Sequence, residues 1–476
     1  MSTPEIVVIG AGPAGIRAAL EAARAGASVL VLDEYARPGG QYYRQPIWGL
    51  PTRPNQAIFG HAEEGHARIE EAMRAGVQFL TDALVWGVFA EGAVAILSAG
   101  KPEVLTPSKL ILASGGYERP VAFPGWTLPG VITAGAAQAL LRGQGLLPGR
   151  RILMAGTGPL QVAVAAQLTQ AGAHLAGVLE ANSFSRLVWS GPRFWGQWGR
   201  VREALKYCRI LRSGRVPLIF GRAVVRAVGN GELSGVITAE LDEHWHPIAA
   251  TEAEVKVDTL CLGFGLVPNT RLARLLGCEL AYVPARGGLV PVHDDNMQTP
   301  KPGVFVAGEA AGIAGATAAE LQGRIAGISA ALQLGKGDRI EAGKRIQAAQ
   351  RELERELRFA RSLNEIFAVK PGLLSLVTDD TVICRCEEIT LGQLRRERSE
   401  WLSTLDAVRK VSRTGMGLCQ GTMCEPLVAQ LLSREMGRAV ADLGSYHIRP
   451  PLKPISVGAL ADLSAKLPPP PNRMDH

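Results

Sequence analysis

Apolar and polar positions at the start of the chain assign three consecutive elements. Ile6–Ile9 is a continuous apolar run of strand length, the helical spacing Ile16, Ala19, Leu20 and Ala23 follows, and Ser28–Leu32 is a second apolar run that ends on Asp33 and Glu34. Between the first strand and the helix stands Gly10-Ala11-Gly12-Pro13-Ala14-Gly15. In such a turn the first glycine bends the chain, and the second lets backbone approach a pyrophosphate. The third lets helix and strand pack closely, and the helix N-terminus receives the phosphate charge. Asp33, 18 residues past Gly15, stands where an acid accepts ribose hydroxyls. The loop Pro38-Gly39-Gly40-Gln41 can wrap back over the pyrophosphate, which suits an FAD site better than a plain NAD site.

The same patterning continues downstream. Ala62–Ala75 reads as a helix, Gln78–Val85 and Gly87–Leu97 as alternating strands; in a flavin fold, backbone near Ala83–Val85 would contact the adenine. Leu105–Ala113 leads into the glycine turn Ser114–Pro120, to which no chemistry is assigned. A second strand–turn–helix unit begins at Arg150 with Gly156-Thr157-Gly158-Pro159-Leu160-Gln161 and ends its next strand on Glu180. Gln161 replaces the third glycine, so helix and strand are expected to stand further apart and the phosphate site to be altered. This unit could bind NAD(P), another adenine nucleotide such as ATP, or nothing. From Gly287 the chain returns to the first domain: a strand ends on Gly308 and Glu309, and a glycine turn opens a helix through Leu332, suited to the polar parts of a flavin. Asp338–Phe367 is a charged helix with one apolar stripe at Ile346, Leu353, Leu357 and Ala360, read as a connector.

The resulting partition is an α/β chain with two Rossmann-like domains. Residues 1–120 and 280–335 form a discontinuous FAD domain, 121–279 a second nucleotide domain and 336–372 the connector; 373–440 form a cysteine module and 441–476 a proline-rich tail without a core of its own. Trp189, Phe194, Trp195 and Trp198 cluster in the second domain, either as a docking surface for a partner or as rings that cap the fold.

Composition narrows the class. Length 476 fits two to three domains, and 47% hydrophobic with 20% charged residues is globular. The net charge of +7 is spread along the chain and aromatics are only 5%, which argues for a basic enzyme and against nucleic acid. A strand that begins at Ile6 leaves no room for a signal peptide, and no apolar run approaches the roughly 18 residues of a membrane span. The expected location is cytoplasmic, with a peripheral position at the inner face of the membrane left open.

Four of the seven cysteines carry the remaining chemistry: Cys384-Arg385-Cys386, then Cys419 and Cys424 within a stretch holding Gly415, Gly417 and Gly421. Four thiolates on two loops can hold a [2Fe–2S] cluster, and the glycines free N–H groups to point at sulfur. Structural zinc is the rival, although zinc ribbons favour C-x₂-C over C-x-C. Cys208, Cys261 and Cys278 read as small core residues. The absence of C-x-x-C excludes a thioredoxin-reductase-type dithiol.

Taken together, Ala11–Gly15, Pro38–Gln41, Gly156–Pro159, Cys384–Glu387 and Gly415–Cys424 resemble the alpha, or FAD and iron–sulfur, subunits of heteromeric amino-acid dehydrogenases. That group includes the corresponding subunits of opine (octopine/nopaline) oxidase, D-hydroxyproline dehydrogenase, heteromeric proline dehydrogenases and hydrogen cyanide synthase. The flavin portion is also similar to the alpha subunit of heterotetrameric sarcosine oxidase. The resemblance implies a disulfide-reductase-type flavoprotein fold and a bacterioferritin-associated-ferredoxin-like [2Fe–2S] module ligated by Cys384, Cys386, Cys419 and Cys424. It further implies an amino-acid-oxidase-like FAD beta subunit that oxidises the substrate, FMN between subunits, a small ferredoxin-like gamma subunit, and ATP in the second nucleotide domain of some relatives. The chain would then relay electrons; the alternatives are a stand-alone NAD(P)H-dependent flavin oxidoreductase or a hydrogen cyanide synthase subunit.

Overall fold

A computed structural model describes residues 4–46, 61–89, 92–194, 196–397 and 402–463. The irregular stretch expected up to Phe59 is thus covered only as far as Pro46; Trp195, Trp401 and the four consecutive prolines of the tail lie outside the described residues.

Strand Ile6–Ile9 is fully buried and sits at the centre of a five-stranded parallel sheet. The strand order is Val304–Val306, Lys109–Leu112, Ile6–Ile9, Val29–Leu32 and Gln78–Leu80, with Ile6 in register with both Val29 and Lys109. Burial on both faces explains why Ile6–Ile9 and Val29–Leu32 are apolar throughout, while Lys109 and the exposed Gln78 stand at the starts of their strands. Helix Pro13–Arg24 starts with proline at its first position, which needs no N–H there. Helix Ala316–Gln333 crosses it so closely that a side chain at Gly323 or Gly327 would stand 2.2 Å from the Ala14 carbonyl oxygen or 2.1 Å from that of Ala18.

The expected pair of strands across 78–97 is in fact three pieces. Gln78–Leu80 belongs to the parallel sheet, while Ala83–Val88 and Val94–Ser98 join Lys101–Leu105 in an antiparallel sheet. Asp82, with φ 50°, makes the break. A second parallel sheet has the order Leu218–Phe220, His174–Glu180, Arg151–Gly156, Thr259–Gly263 and Val131–Thr133.

The cysteine module consists of the hairpin Val382–Cys384/Ile389–Thr390 and helices Leu391–Glu397, Leu405–Ser412 and Cys424–Met436. Its core is continuous with that of the second domain, where Ile383, Leu427 and Leu431 share one cluster with Leu153, Leu179 and Leu260. Trp126 Nε1 donates to the Val382 carbonyl at 2.7 Å across this join. Arg274 holds the module to the other side by a two-pronged contact with Glu425, both distances 2.9 Å.

One sequence expectation changes here, that of Cys208 as a core residue. The tail, without a core of its own, lies across its neighbours: Tyr446 packs in the cysteine module, Leu452 in the FAD domain and Leu463 against Trp86. Its apolar residues are too sparse to pack on one another but are spaced to drop into neighbours one at a time. Cys208 is exposed on helix Trp198–Ser213, whose only buried residue is Leu211, whereas Cys261 and Cys278 are buried. Trp189 and Trp198 are exposed, while Phe194 packs edge-on to Phe359 of the connector helix Arg339–Ile366.

Candidate functional site

The first glycine turn is shaped by backbone proximity. A side chain at Gly10, where φ is 105°, would lie 2.3 Å from the Ala113 carbonyl oxygen, and one at Gly15 would lie 1.8 Å from that of Gly10. Gly12 caps the helix in extended backbone and carries no side-chain cap, which leaves the first-turn N–H groups facing outward. Gly39 N donates to the Ala11 carbonyl at 2.8 Å, and a side chain on Gly40 would approach Gly12 Cα to 2.8 Å. The 38–41 loop therefore lies directly over the turn. Gln41 is exposed and accepts from Arg44 at 2.7 Å.

Asp33 is 6% exposed and accepts from Ala11 N at 2.7 Å and Tyr35 N at 2.9 Å. Burial nevertheless raises its pKa. Glu34 is exposed and ion-paired to Lys453 of the tail. Gly308 N donates to Gln322 Oε1 at 2.9 Å. The Glu309 carboxylate has no hydrogen-bond or ion-pair partner among the described residues, and burial pushes it up to about 7.

Gly10, Gly12, Pro13, Ala14, Asp33, Glu34, Gly40, Gln41, Val85, Gly308 and Glu309 line one cavity of about 1290 Å³, well above the size of a drug-like site. Gly15 and Gly39 stand behind this lining and shape it through the contacts above. The lining continues through Ser114–Glu118 to Cys386 and Cys419. The sequence leaves Ser114–Glu118 without a role, although a glycine turn after an apolar strand is its visible signal. The size, the side-chain-free cradle and the unpartnered Glu309 fit a flavin adenine dinucleotide.

The four cysteines form two pairs. Cys384 and Cys424 are hydrogen-bonded thiol to thiol, which pulls the Cys384 thiol down to about 6 and holds Cys424 well above its usual range. Cys386 and Cys419 are likewise hydrogen-bonded to each other. Among the described residues no three His, Cys, Asp or Glu side chains converge on one ion position. Paired thiols fit a two-iron cluster, with two sulfurs for each iron, better than a single tetrahedral zinc. Of the three glycines expected to aim N–H groups at sulfur, Gly415 does so, donating to Cys384 Sγ at 3.5 Å. Gly417 instead makes room for Cys386, and Gly421 for the Tyr446 ring, at 2.5 and 2.7 Å from where a side chain would stand.

The second glycine turn has a different environment. Glu180 is 3% exposed and accepts from Thr157 Oγ1 at 2.7 Å, Gly158 N at 2.9 Å, Asn182 N at 2.9 Å and Gln161 Nε2 at 3.1 Å. Asp33 reaches only the middle residue of its turn; Glu180, one methylene longer, takes the N–H of the second glycine. Phe367 covers that glycine, with side-chain carbons 3.6 to 3.9 Å from a hypothetical Gly158 Cβ, and Asn182 Nδ2 donates to the Ile366 carbonyl at 3.3 Å. Gly156, Thr157 and Gly158 do not line the cavity. The bulk of Gln161, standing in place of a third glycine, is accommodated by the neighbouring strand. Gly263 on the adjacent strand supplies the room, a side chain there standing 3.2 Å from Gln161 Cβ, and Gly156 would meet the Gly263 carbonyl at 2.0 Å.

Known proteins place this geometry. Residues 4–335 match the pyridine nucleotide-disulphide oxidoreductase family, and residues 382–434 match the BFD-like [2Fe-2S] binding domain. An opine oxidase subunit of Rhizobium meliloti is 33% identical over 472 residues, 96% of this chain and 87% of that protein. Hydrogen cyanide synthase subunit HcnB of Pseudomonas aeruginosa is 34% identical over 461 residues, 97% of this chain and 99% of that protein. The crystal structure of L-proline dehydrogenase from P. horikoshii has the same fold, with a TM-score of 0.68 and 20% identity over 96% of this chain and 79% of that one. No described helix is long and apolar enough to cross a membrane. With its side-chain-free dinucleotide turn, its paired thiols and these relatives, the chain belongs to the pyridine nucleotide-disulphide oxidoreductase family, as an oxidoreductase subunit that carries a BFD-like [2Fe–2S] domain.

Proposed function

We propose that this chain is the electron-transfer alpha subunit of a heteromeric amine or amino-acid dehydrogenase of the opine oxidase or D-hydroxyproline dehydrogenase type. The observation that carries the reading is the single cavity whose wall runs from the dinucleotide turn to Cys386 and Cys419. Gly10, Gly12 and the helix start at Pro13 would hold the pyrophosphate, Asp33 the ribose, and Glu309 the polar parts of the flavin. Cys384, Cys386, Cys419 and Cys424 would ligate the cluster. Bound there, FAD and a [2Fe–2S] cluster supply a two-electron and a one-electron carrier side by side.

The chain's own residues position and insulate. Glu118, in the cavity wall, accepts Gly135 N at 2.9 Å at a helix start through one carboxylate oxygen. Substrate oxidation is then the work of a companion FAD-containing beta subunit. Because Phe367 and Glu180 fill the second turn, electrons from that companion are favoured over electrons from NAD(P)H.

The test is to purify the chain alone and with the polypeptides that accompany it in its source. The proposal expects flavin, iron and acid-labile sulfide in the chain, no reduction by NADH or NADPH, and reduction by an amine substrate once the partner is added. Fast reduction of the isolated chain by NADPH would overturn it.

A further inference from the structure

The C-terminal segment reaches the far side of the flavin site in a way that neither glycine turn accounts for. Leu452, Lys453 and Pro454 line the cavity beside Asp33, Glu34, Ala83 and Val85, at the end where the ribose acid stands. They are fixed there from several directions. Leu452 N donates to the Trp86 carbonyl at 2.7 Å, and Arg271 donates to the Leu452 carbonyl at 3.1 Å. Lys453 pairs with Glu34, and Leu452 itself is 3% exposed. Past the cavity, helix Val457–Leu463 anchors the segment by burying Leu463 with Trp86 and Ala95.

We infer that residues 452–463 are a clamp on the adenosine half of the bound dinucleotide. Leu452–Pro454 supply a wall of the adenosine pocket, and the buried Leu463 and the Lys453–Glu34 pair hold that wall shut. The inference rests on the FAD reading of this cavity and adds binding residues to it. It has a chemical consequence: the clamp grips only a ligand that possesses an adenosine, so it selects FAD over FMN. Dissociation of the dinucleotide also requires the segment to lift.

The experiment compares the intact chain with a chain stopped after Arg449 and with full-length Lys453→Ala and Leu452→Asp. Bound flavin is first identified after denaturation, and dissociation constants are then measured by fluorescence titration of deflavinated protein with FAD, FMN and ADP. Iron and sulfide per chain report whether each variant has folded. The clamp predicts at least roughly tenfold weaker FAD and ADP binding in the shortened chain and in Leu452→Asp, with the cluster retained and FMN binding unchanged. Lys453→Ala should weaken FAD by about two- to fivefold at low salt, the size expected of an exposed ion pair, and the effect should fade at high salt. Unchanged FAD affinity in a shortened chain that retains its cluster overturns the clamp. If the intact chain binds ADP but neither flavin, the FAD reading fails, and the loss of ADP affinity on shortening still decides the clamp by itself.

Discussion

The contact between Arg274 and Glu425 gives a sharp test of how the cysteine module is held against the flavin cavity. Arg274 lies on the short helix Arg271–Leu275 and Glu425 in the first turn of Cys424–Met436, one residue from a proposed cluster ligand. Their side chains are only 8% and 11% exposed. The guanidinium meets both carboxylate oxygens and also donates to the Tyr446 carbonyl, while Glu425 accepts Tyr446 N at 2.8 Å. Arg274→Ala would leave the carboxylate buried with that single backbone donor. Losing one partner of a buried pair costs about 3–5 kcal/mol. Some solvent reaches this one, so the lower figure applies, and about 3 kcal/mol is roughly a 100-fold shift in an equilibrium. Denaturant titration should be followed by the visible circular dichroism of the cluster and, separately, by flavin absorbance. In Arg274→Ala the cluster signal should disappear at clearly lower denaturant than in the parent, ahead of the flavin signal. Arg274→Lys keeps the charge but loses the fork, and should fall between them. Coincident, unshifted transitions for both probes in Arg274→Ala would show that the pair holds nothing.

Other expectations follow from single features. Gly15→Ala places a carbon 1.8 Å from the Gly10 carbonyl oxygen, so the turn must open, and the purified variant should carry less than about a tenth of the parent's flavin. In flavin-free protein, Glu309 has a folded pKa of about 7 against 4.5 unfolded, so the native state holds a proton that the unfolded chain has released across that window. Stability should therefore fall by about 3 kcal/mol as pH rises from 4.5 to 7 and then level off, and Glu309→Gln should remove this part of the pH dependence of unfolding. Phe367→Ala alone should not confer NADH binding measurable by calorimetry, because Glu180 still holds the Gly158 N–H; Phe367→Ala with Glu180→Gln is the combination that should. Cys384→Ser, Cys386→Ser, Cys419→Ser and Cys424→Ser should each lower iron and sulfide per chain while bound flavin persists.

What the sequence determined by itself is local backbone chemistry. Gly10, Gly12 and Gly15 are legible because a turn that presses helix on strand excludes side chains at fixed spacings, and the four cysteines because they fall in two short segments. The apolar stripe at Ile346 and Leu353 likewise announces a helix with one buried face. Tertiary structure decided what those local pieces face. Asp33 and Glu180 occupy equivalent positions after equivalent strands, yet one lines a cavity while the other is consumed by its own turn. Thr157 and Gln161, polar where the first unit has Ala11 and Gly15, are the faint sign of it. Phe367 lies 209 residues from Gly158, and Lys453 lies 419 from Glu34. Contacts over such separations depend on how whole domains pack, because a side chain's partner is set by the surface another segment presents and not by its own neighbours in the chain. The joining of Cys386 and Cys419 to the flavin cavity is of this kind: spacing assembled each half, and only folding put them in one wall.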